Sequence, residues 1–424
     1  MLSNERFIES LKQLCSIESV AGVDIGENAP YGKGSAEALD FMLSLCESFG
    51  FRTKCCADHR CGWAEIGEGE EIVGILGHLD VVPAGTGWDY PAYGLTEDGD
   101  RIYGRGVVDD KGPTMACVYA MKDLLDSGVK LDRRVRIVFG QSEETGVWDD
   151  MEYYKANEEP ITFGFTPDAD FPAIYGEKRI LCFDLKLSDA DGLVINGGSA
   201  SNMVADRCSA SVTRDGTVTE WETSGRAAHA STPEDGVNAI SALMEKLGEV
   251  IPAHPFVSFY RKYIGLAFNG ENMGCALADE QSGALTMNVG MVRTDDSGIT
   301  LTVDVREPVT FSDRAVLDPV EAAAAEYGLR VVVTENTPAV YMDKNGPVIT
   351  KLLEVYRAET GDLSEPTVIG GGTYARAMDN IVAFGPMQPG RELTEHQKNE
   401  YILKEDLLLV RKIYRNAICA LARN

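Results

Sequence analysis

Ile72-Val73-Gly74-Ile75-Leu76-Gly77-His78-Leu79-Asp80 is the stretch on which the reading of this chain turns. Its first five residues form an unbroken apolar run of strand length, the pattern of a strand buried on both faces of a sheet. A second strand pattern follows at Arg134-Val135-Arg136-Ile137-Val138-Phe139-Gly140. Between them, Pro113 sits where a first helical turn accepts it, and the helix is expected to run to about Gly128. Upstream, Ser35 reads as a helix N-cap, with Ala38, Leu39, Phe41, Met42, Leu45 and Cys46 on one face and Gly50 closing the helix. This alternation gives an α/β class. Open α/β sheets gather their sites beyond the carboxyl ends of the strands. His78, just after the first strand, and Glu143-Glu144, just after the second, are therefore expected to meet in one cleft.

The middle of the chain changes character. Leu285, Met287, Val289 and Met291 alternate with smaller or polar residues, Asp295-Asp296-Ser297-Gly298 turns, and Ile299, Leu301, Val303 and Val305 alternate back. This is an antiparallel hairpin pattern. A helix carrying Val237, Ile240, Leu243, Met244 and Leu247 precedes it. The expectation is an inserted α+β domain at residues 181–344. The first domain, 1–180, is then completed by 345–424, which has to return to deliver His396.

At 424 residues, two or three domains are expected. Apolar content of 44% and charged content of 25% are ordinary, whereas a net charge of −28 is not. It argues against nucleic acid and anionic membranes as partners, and disfavours a strongly anionic substrate. No apolar run follows a basic leader, and no segment approaches the roughly 18 apolar residues of a membrane span. Ten cysteines are scattered, mostly inside apolar runs, as reduced thiols of a cytoplasmic protein would be.

Chemistry-bearing residues fall into clusters: Gly77-His78-Leu79-Asp80, Gly104 to Gly112 with Asp109-Asp110, Glu143-Glu144, and Pro167-Asp168-Ala169-Asp170. A lone His396 stands in Thr394-Glu395-His396-Gln397. Imidazole and carboxylate in this ratio suit a pair of divalent ions, zinc, cobalt or manganese. No cysteine is needed, which points to catalysis rather than a structural clip. Adjacent Glu143 and Glu144 can divide the labour, one coordinating and one free as a base. Taken singly, His78 would be a satisfied core residue, His396 an exposed helix residue, His229 a surface-loop residue and His254 a loop residue without chemistry. His59, among Cys55, Cys56 and Cys61, invites a zinc reading but lacks the second, separated ligand couple of a structural site. Gly370-Gly371-Gly372-Thr373 is expected to open a helix whose free N–H groups make a natural seat for a carboxylate. As a nucleotide loop it has no Lys in P-loop position.

Taken in order, these motifs resemble the signature of the M20 family of metallopeptidases, and in particular its bacterial dipeptidases of the PepV type. The similarity runs from Gly77-His78-Leu79-Asp80-Val81-Val82-Pro83 to His396-Gln397-Lys398-Asn399-Glu400. It includes Pro167-Asp168-Ala169-Asp170-Phe171-Pro172 with Gly176-Glu177-Lys178, and Gly370-Gly371-Gly372-Thr373-Tyr374. The resemblance implies a mixed-sheet, zinc-peptidase-like catalytic domain with an inserted α+β lid. It implies His78 and Asp168 on one ion, Glu144 and His396 on the other, and Asp109 bridging. It makes Asp80 the residue that orients His78 and Glu143 the general base, and places a cis peptide between Asp109 and Asp110. From the lid, His229 would steady the oxyanion, while Asn202 and Arg306 would contact substrate. Arg306 could equally be a surface salt bridge, and Ala205 stands where the family pattern around Asn202 often has Pro.

The activity implied is hydrolysis of dipeptides with two divalent ions, zinc or manganese, with cobalt able to serve. Deacylation of N-acyl amino acids by the same centre is the nearest alternative, and a non-catalytic peptide- or metal-binding relative is another. Family members include dimers that lend His229 to a neighbour and PepV-type enzymes that act alone, so monomer and homodimer are both compatible. The insertion here is long enough for the second arrangement.

Overall fold

The structure, a computed structural model, describes residues 2–214 and 216–423. The chain divides into two compact units. The first runs to Tyr175 and resumes over Met342–Thr367 and from Thr373; the second is Gly176–Tyr341 with Val368–Gly372.

The first unit is built on a mixed sheet with strands in the order Arg52–Cys55, Gly62–Ile66, Arg134–Gly140, Ile72–His78, Phe163–Thr166 and Ile381–Ala383. Ile72–His78 is parallel to both its neighbours and every residue in it is buried. That is why it reads as continuous apolar sequence rather than as alternation. Each fully buried aliphatic side chain there contributes about 1.5–3 kcal/mol. Helix Lys111–Ser127 is buried around most of its circumference and stops at Gly128, whose φ of 66° ends the helical path. Helix Lys404–Leu421 packs against it, and Arg411 forks onto Asp123 at 2.8–3.1 Å across that contact.

Ser35 is not the N-cap expected of it. The helix begins at Lys33, and Ser35 lies buried in the first turn with its hydroxyl donating to Tyr31 O. Gly34, in the same first turn, passes Glu18 O so closely that a Cβ there would stand 1.8 Å from it, and only glycine fits.

A small antiparallel sheet of Thr96–Asp98, Arg101–Tyr103 and Tyr401–Leu403 returns the C-terminal segment to the first half of the chain. Its register continues outward, since Gly104 N–H donates to Glu400 O at 3.0 Å.

The second unit holds a seven-stranded sheet in the order Thr217–Ser224, Arg207–Arg214, Leu193–Gly197, Thr286–Asp295, Gly298–Glu307, Arg179–Leu187 and Arg330–Thr337. Asp295 pairs with Gly298 across the two-residue turn, and a bulge shifts the register between Val289 and Met291. Helices Ala239–Val250, Pro255–Tyr263 and Arg314–Glu326 bury Leu243, Phe256, Phe259 and Val320 in one core with Phe183 and Val303 of the sheet. His254 is more than a loop residue: it is buried, caps helix Pro255–Tyr263 by accepting Phe256 N–H, and pairs with Ala190 O through Nε2. Among the described residues, no helix is long and apolar enough to cross a membrane.

Candidate metal centre

The parallel strands of the first unit end together, and their carboxyl ends carry the cluster. His78 is the last residue of its strand, Glu143 and Glu144 occupy a 3-10 turn just beyond Gly140, and Asp168 lies just beyond Thr166. Asp109 stands between two histidines, its Oδ1 2.9 Å from His78 Nε2 and its Oδ2 3.0 Å from His396 Nε2. Glu144 Oε2 is 3.0 Å from His396 Nε2, and Asp168 Oδ2 is 3.7 Å from His78 Nε2. The five expected ligands thus lie together, with Glu143 beside them in a group with His78 and Asp168. His396 is not on a helix. It occupies a turn with φ of 62°, held because Thr394 Oγ1 donates to Tyr401 O and accepts Tyr401 N–H. The peptide bond between Asp109 and Asp110 is cis.

Asp80 meets His78 through two groups and also serves the glutamate pair. His78 Nδ1 is 2.9 Å from the backbone carbonyl of Asp80 and 3.4 Å from its carboxylate. That carboxylate accepts the N–H groups of Glu143 at 3.2 Å and Glu144 at 3.0 Å. Asp80 therefore ties the end of one strand to the glutamate pair after the next.

Three further buried carboxylates hold the loops, and none was given a role from sequence. Asp110 accepts His78 N–H at 3.1 Å and the Thr114 hydroxyl at 2.7 Å. Asp150 accepts Gln141 N–H, Ser142 N–H and the Tyr374 hydroxyl, which fixes the approach to Glu143. Glu400 accepts Arg105 Nη1 at 2.6 Å and the N–H groups of Gly106, Val108 and Asp109. Glu400 lies inside the quoted His396–Glu400 motif, so a signal for it was present; Asp150 looks like any acidic residue of a helix first turn.

The electrostatics ask for a cation. Burial, then Asp168 and Glu144, raise Glu143 well above the usual carboxylate range, and burial with Asp109 does the same to Asp168. Burial and Asp109 also raise Glu144. Burial disfavours the charge on His396, yet Asp109 and Glu144 outweigh it and lift the imidazole to about 11. Asp109 is lowered in spite of its burial, because His396 and His78 lie against its two oxygens. With His78 Nδ1 donating to the Asp80 carbonyl, its Nε2 lone pair faces carboxylate oxygens, and only a proton or a cation reconciles two acceptors so placed. Glu144 Oε1 is buried without a hydrogen-bond partner. Nitrogen and oxygen donors within 4.8 Å of one another, crowded with negative charge, fit divalent ions.

The residues expected to meet substrate lie in the second unit, except Thr373. Ala230 N–H donates to Asn202 O at 2.8 Å, which sets His229 beside Met203 in an isolated bridge. Arg306 is buried, not a surface residue: it forks onto Asp304 at 2.7 and 2.8 Å and donates Nη1 to Gly370 O at 2.8 Å. Gly370-Gly371-Gly372-Thr373 does not open an α-helix. Only a three-residue 3-10 turn, Tyr374–Arg376, follows, capped by the Thr373 hydroxyl accepting Ala375 N–H. The strand Ile381–Ala383 begins too soon after it for a helix to form. A helix dipole is therefore not available to seat a carboxylate there.

A model of the peptidase family M20/M25/M40 matches residues 74–420, most of the chain. The chain belongs to peptidase family M20. A Staphylococcus aureus (strain bovine RF122 / ET3-1) protein named "Putative dipeptidase SAB1611c" is 37% identical to this M20 peptidase, covering 98% of this chain and 97% of its own. The crystal structure of a tripeptidase from Staphylococcus aureus subsp. aureus Mu50 superposes with a TM-score of 0.63 at 18% identity, over 100% of both chains. The Bacillus subtilis YXEP protein, described as a dinuclear metal binding peptidase from the M20 family, superposes with a TM-score of 0.57 at 12% identity, covering 99% of this chain and 98% of its own. This M20 peptidase is accordingly a metallopeptidase, a hydrolase acting on peptide bonds. Its fold is the mixed-sheet catalytic domain with an inserted α+β lid.

Proposed function

We propose that this M20 peptidase is a dipeptidase whose centre takes two divalent ions, zinc or manganese with cobalt able to serve, and uses Glu143 as general base. The observation that carries the reading is Asp109, presenting one carboxylate oxygen to each of two histidines. His78 and Asp168 would hold one ion, Glu144 and His396 the other, with Asp109 shared. Such ions supply Lewis acidity, polarising the scissile carbonyl and making a water more acidic.

The residues do the rest. Glu143 takes a proton from the attacking water and passes it to the departing amine nitrogen, so the same carboxyl serves as base and then acid. Its raised affinity for protons, set by burial and neighbouring carboxylates, suits a group that has to hold one in transit. Asp80 positions both glutamates through their N–H groups. His229 would donate a hydrogen bond to the oxyanion, an electrostatic contribution often worth several kcal/mol. Asn202, Gly371, Gly372 and Thr373 would line the substrate, with Arg306 shaping the glycine loop through Gly370 O. A reducing cytoplasm, expected from the scattered cysteines, belongs to this proposal.

The name of the 37% identical relative supports dipeptides as substrates. Metal-stripped protein refilled with zinc, manganese or cobalt should hydrolyse dipeptides far faster than tripeptides or N-acetyl and N-succinyl amino acids. Preference for the acylated amino acids would replace this reading with the deacylase one.

A further inference from the structure

The turn at His229 and Ser231 leaves one place for the imidazole proton. His229 Nδ1 accepts the backbone N–H of Ser231 at 3.3 Å and lies 2.7 Å from Ser231 Oγ. A backbone amide can only donate, so the nitrogen it addresses presents a lone pair. The serine hydroxyl, facing the same lone pair, donates as well. A neutral ring so held carries its proton on Nε2.

We infer that Ser231 is a positioning residue that holds His229 as the Nε2–H tautomer, making it a hydrogen-bond donor of fixed direction. This rests on the reading of His229 as the group that meets the oxyanion. Without Ser231 Oγ only the longer contact from the Ser231 N–H, 3.3 Å, would favour this tautomer, and part of the population would turn a lone pair toward the developing negative charge and repel it.

Ser231 is itself held from several sides within the second unit. A Cβ on Gly370 would stand 2.6 Å from Ser231 Cβ, so only glycine at 370 leaves room for the serine. Gly370 is in turn fixed by Arg306, and Arg306 by Asp304. On the other side, Ala230 donates to Asn202 O and accepts the Thr286 hydroxyl at 3.1 Å, while Thr232 N–H donates to His229 O at 3.1 Å. The turn that carries the serine thus touches Asn202 through Ala230, and Gly370, held by Arg306, through Ser231.

The test combines nitrogen NMR with kinetics on the zinc-loaded enzyme, labelled with 15N-histidine; His229→Ala identifies the His229 signals by their loss. In the native enzyme His229 should show a protonated Nε2 and an unprotonated Nδ1. Ser231→Ala should draw the two nitrogen shifts together and lower kcat by about tenfold with little change in KM, less than loss of a whole oxyanion donor. Ser231→Thr, which keeps the hydroxyl, should restore both. A protonated Nδ1 in the native enzyme, or an unchanged spectrum and kcat in Ser231→Ala, overturns the assignment. Wild-type turnover in His229→Ala would instead overturn the reading of His229, and the role of Ser231 with it.

Discussion

Glu143 and Glu144 are chemically identical neighbours, and the fold separates them. Glu144 faces His396 at 3.0 Å, whereas Glu143 joins a group with His78 and Asp168. Replacing Glu143 with Ala should cut kcat by about 10²–10⁴, the usual share of a general base, while metal content by elemental analysis stays near two ions per chain. Substantial residual turnover would contradict the assigned base. Asp80→Ala has a different expected signature. It leaves the carbonyl contact to His78, removes the carboxylate 3.4 Å from that ring, and releases the Glu143 and Glu144 amides. Metal affinity by titration calorimetry should weaken by about 10–100-fold, as for other outer supports of a metal site. An unchanged affinity would show that the two amides need no such anchor.

The strands set how closely supports can approach. Gly140 ends its strand under Tyr374, and a Cβ added there would lie 2.3 Å from the tyrosine hydroxyl and 2.4 Å from its ring. Tyr374 is fully buried and bonded to Asp150, so it has nowhere to go. Gly140→Ala should therefore cost about 1–3 kcal/mol in urea unfolding, as overpacking does, and should also lower activity by shifting the Gln141-Ser142 approach to Glu143. A neutral result would mean that the strand end is looser than its packing indicates. This is the scale at which the sequence was most and least legible. The strand at Ile72–His78 and the hairpin at Thr286–Glu307 were readable because burial on two faces, or on one, writes itself as apolar runs or alternation. The starting point of the helix at Lys33 and the absence of one after Thr373 were not. Each depends on the path the backbone takes rather than on apolar pattern: a Gly32 with φ of 113° precedes the first, and a strand at Ile381 follows soon after the second.

For the molecule as a whole, the concentration of negative charge at the candidate centre links metal binding to stability. Binding to the folded state alone stabilises by mass action, about 2.7 kcal/mol at a free ion concentration 100 times Kd. Metal-stripped protein should melt at a lower temperature, and Tm should climb with added zinc or manganese; a flat titration would argue against a preformed site. A second effect belongs to Glu307, which is fully buried 3.1 Å from Arg179 Nε. Burial pushes its carboxyl up to about 7 in spite of the arginine. The folded state then holds this proton more tightly than the unfolded chain, so the contribution is present at low pH and is lost as pH rises through 7. Glu307→Gln should raise Tm by about 2–4 °C at pH 8 and by much less at pH 5, where the folded carboxyl is still protonated. An equal gain at both values would point to a cause other than ionisation.

The candidate metal and base residues announced themselves in the amino-acid order, because ligand types and strand ends are local properties: His78, Asp109, Glu143, Glu144 and Asp168 each sit in a short motif beside a predicted element. What only tertiary structure decided is how they are held. Glu400 grips the loop of Asp109 from nearly 300 residues away, Asp150 reaches Tyr374, and the Asp80 carboxylate serves the glutamates as well as the histidine. Such contacts are made across the chain, and a buried carboxylate that satisfies distant N–H groups has the same letter in the sequence as one that faces water.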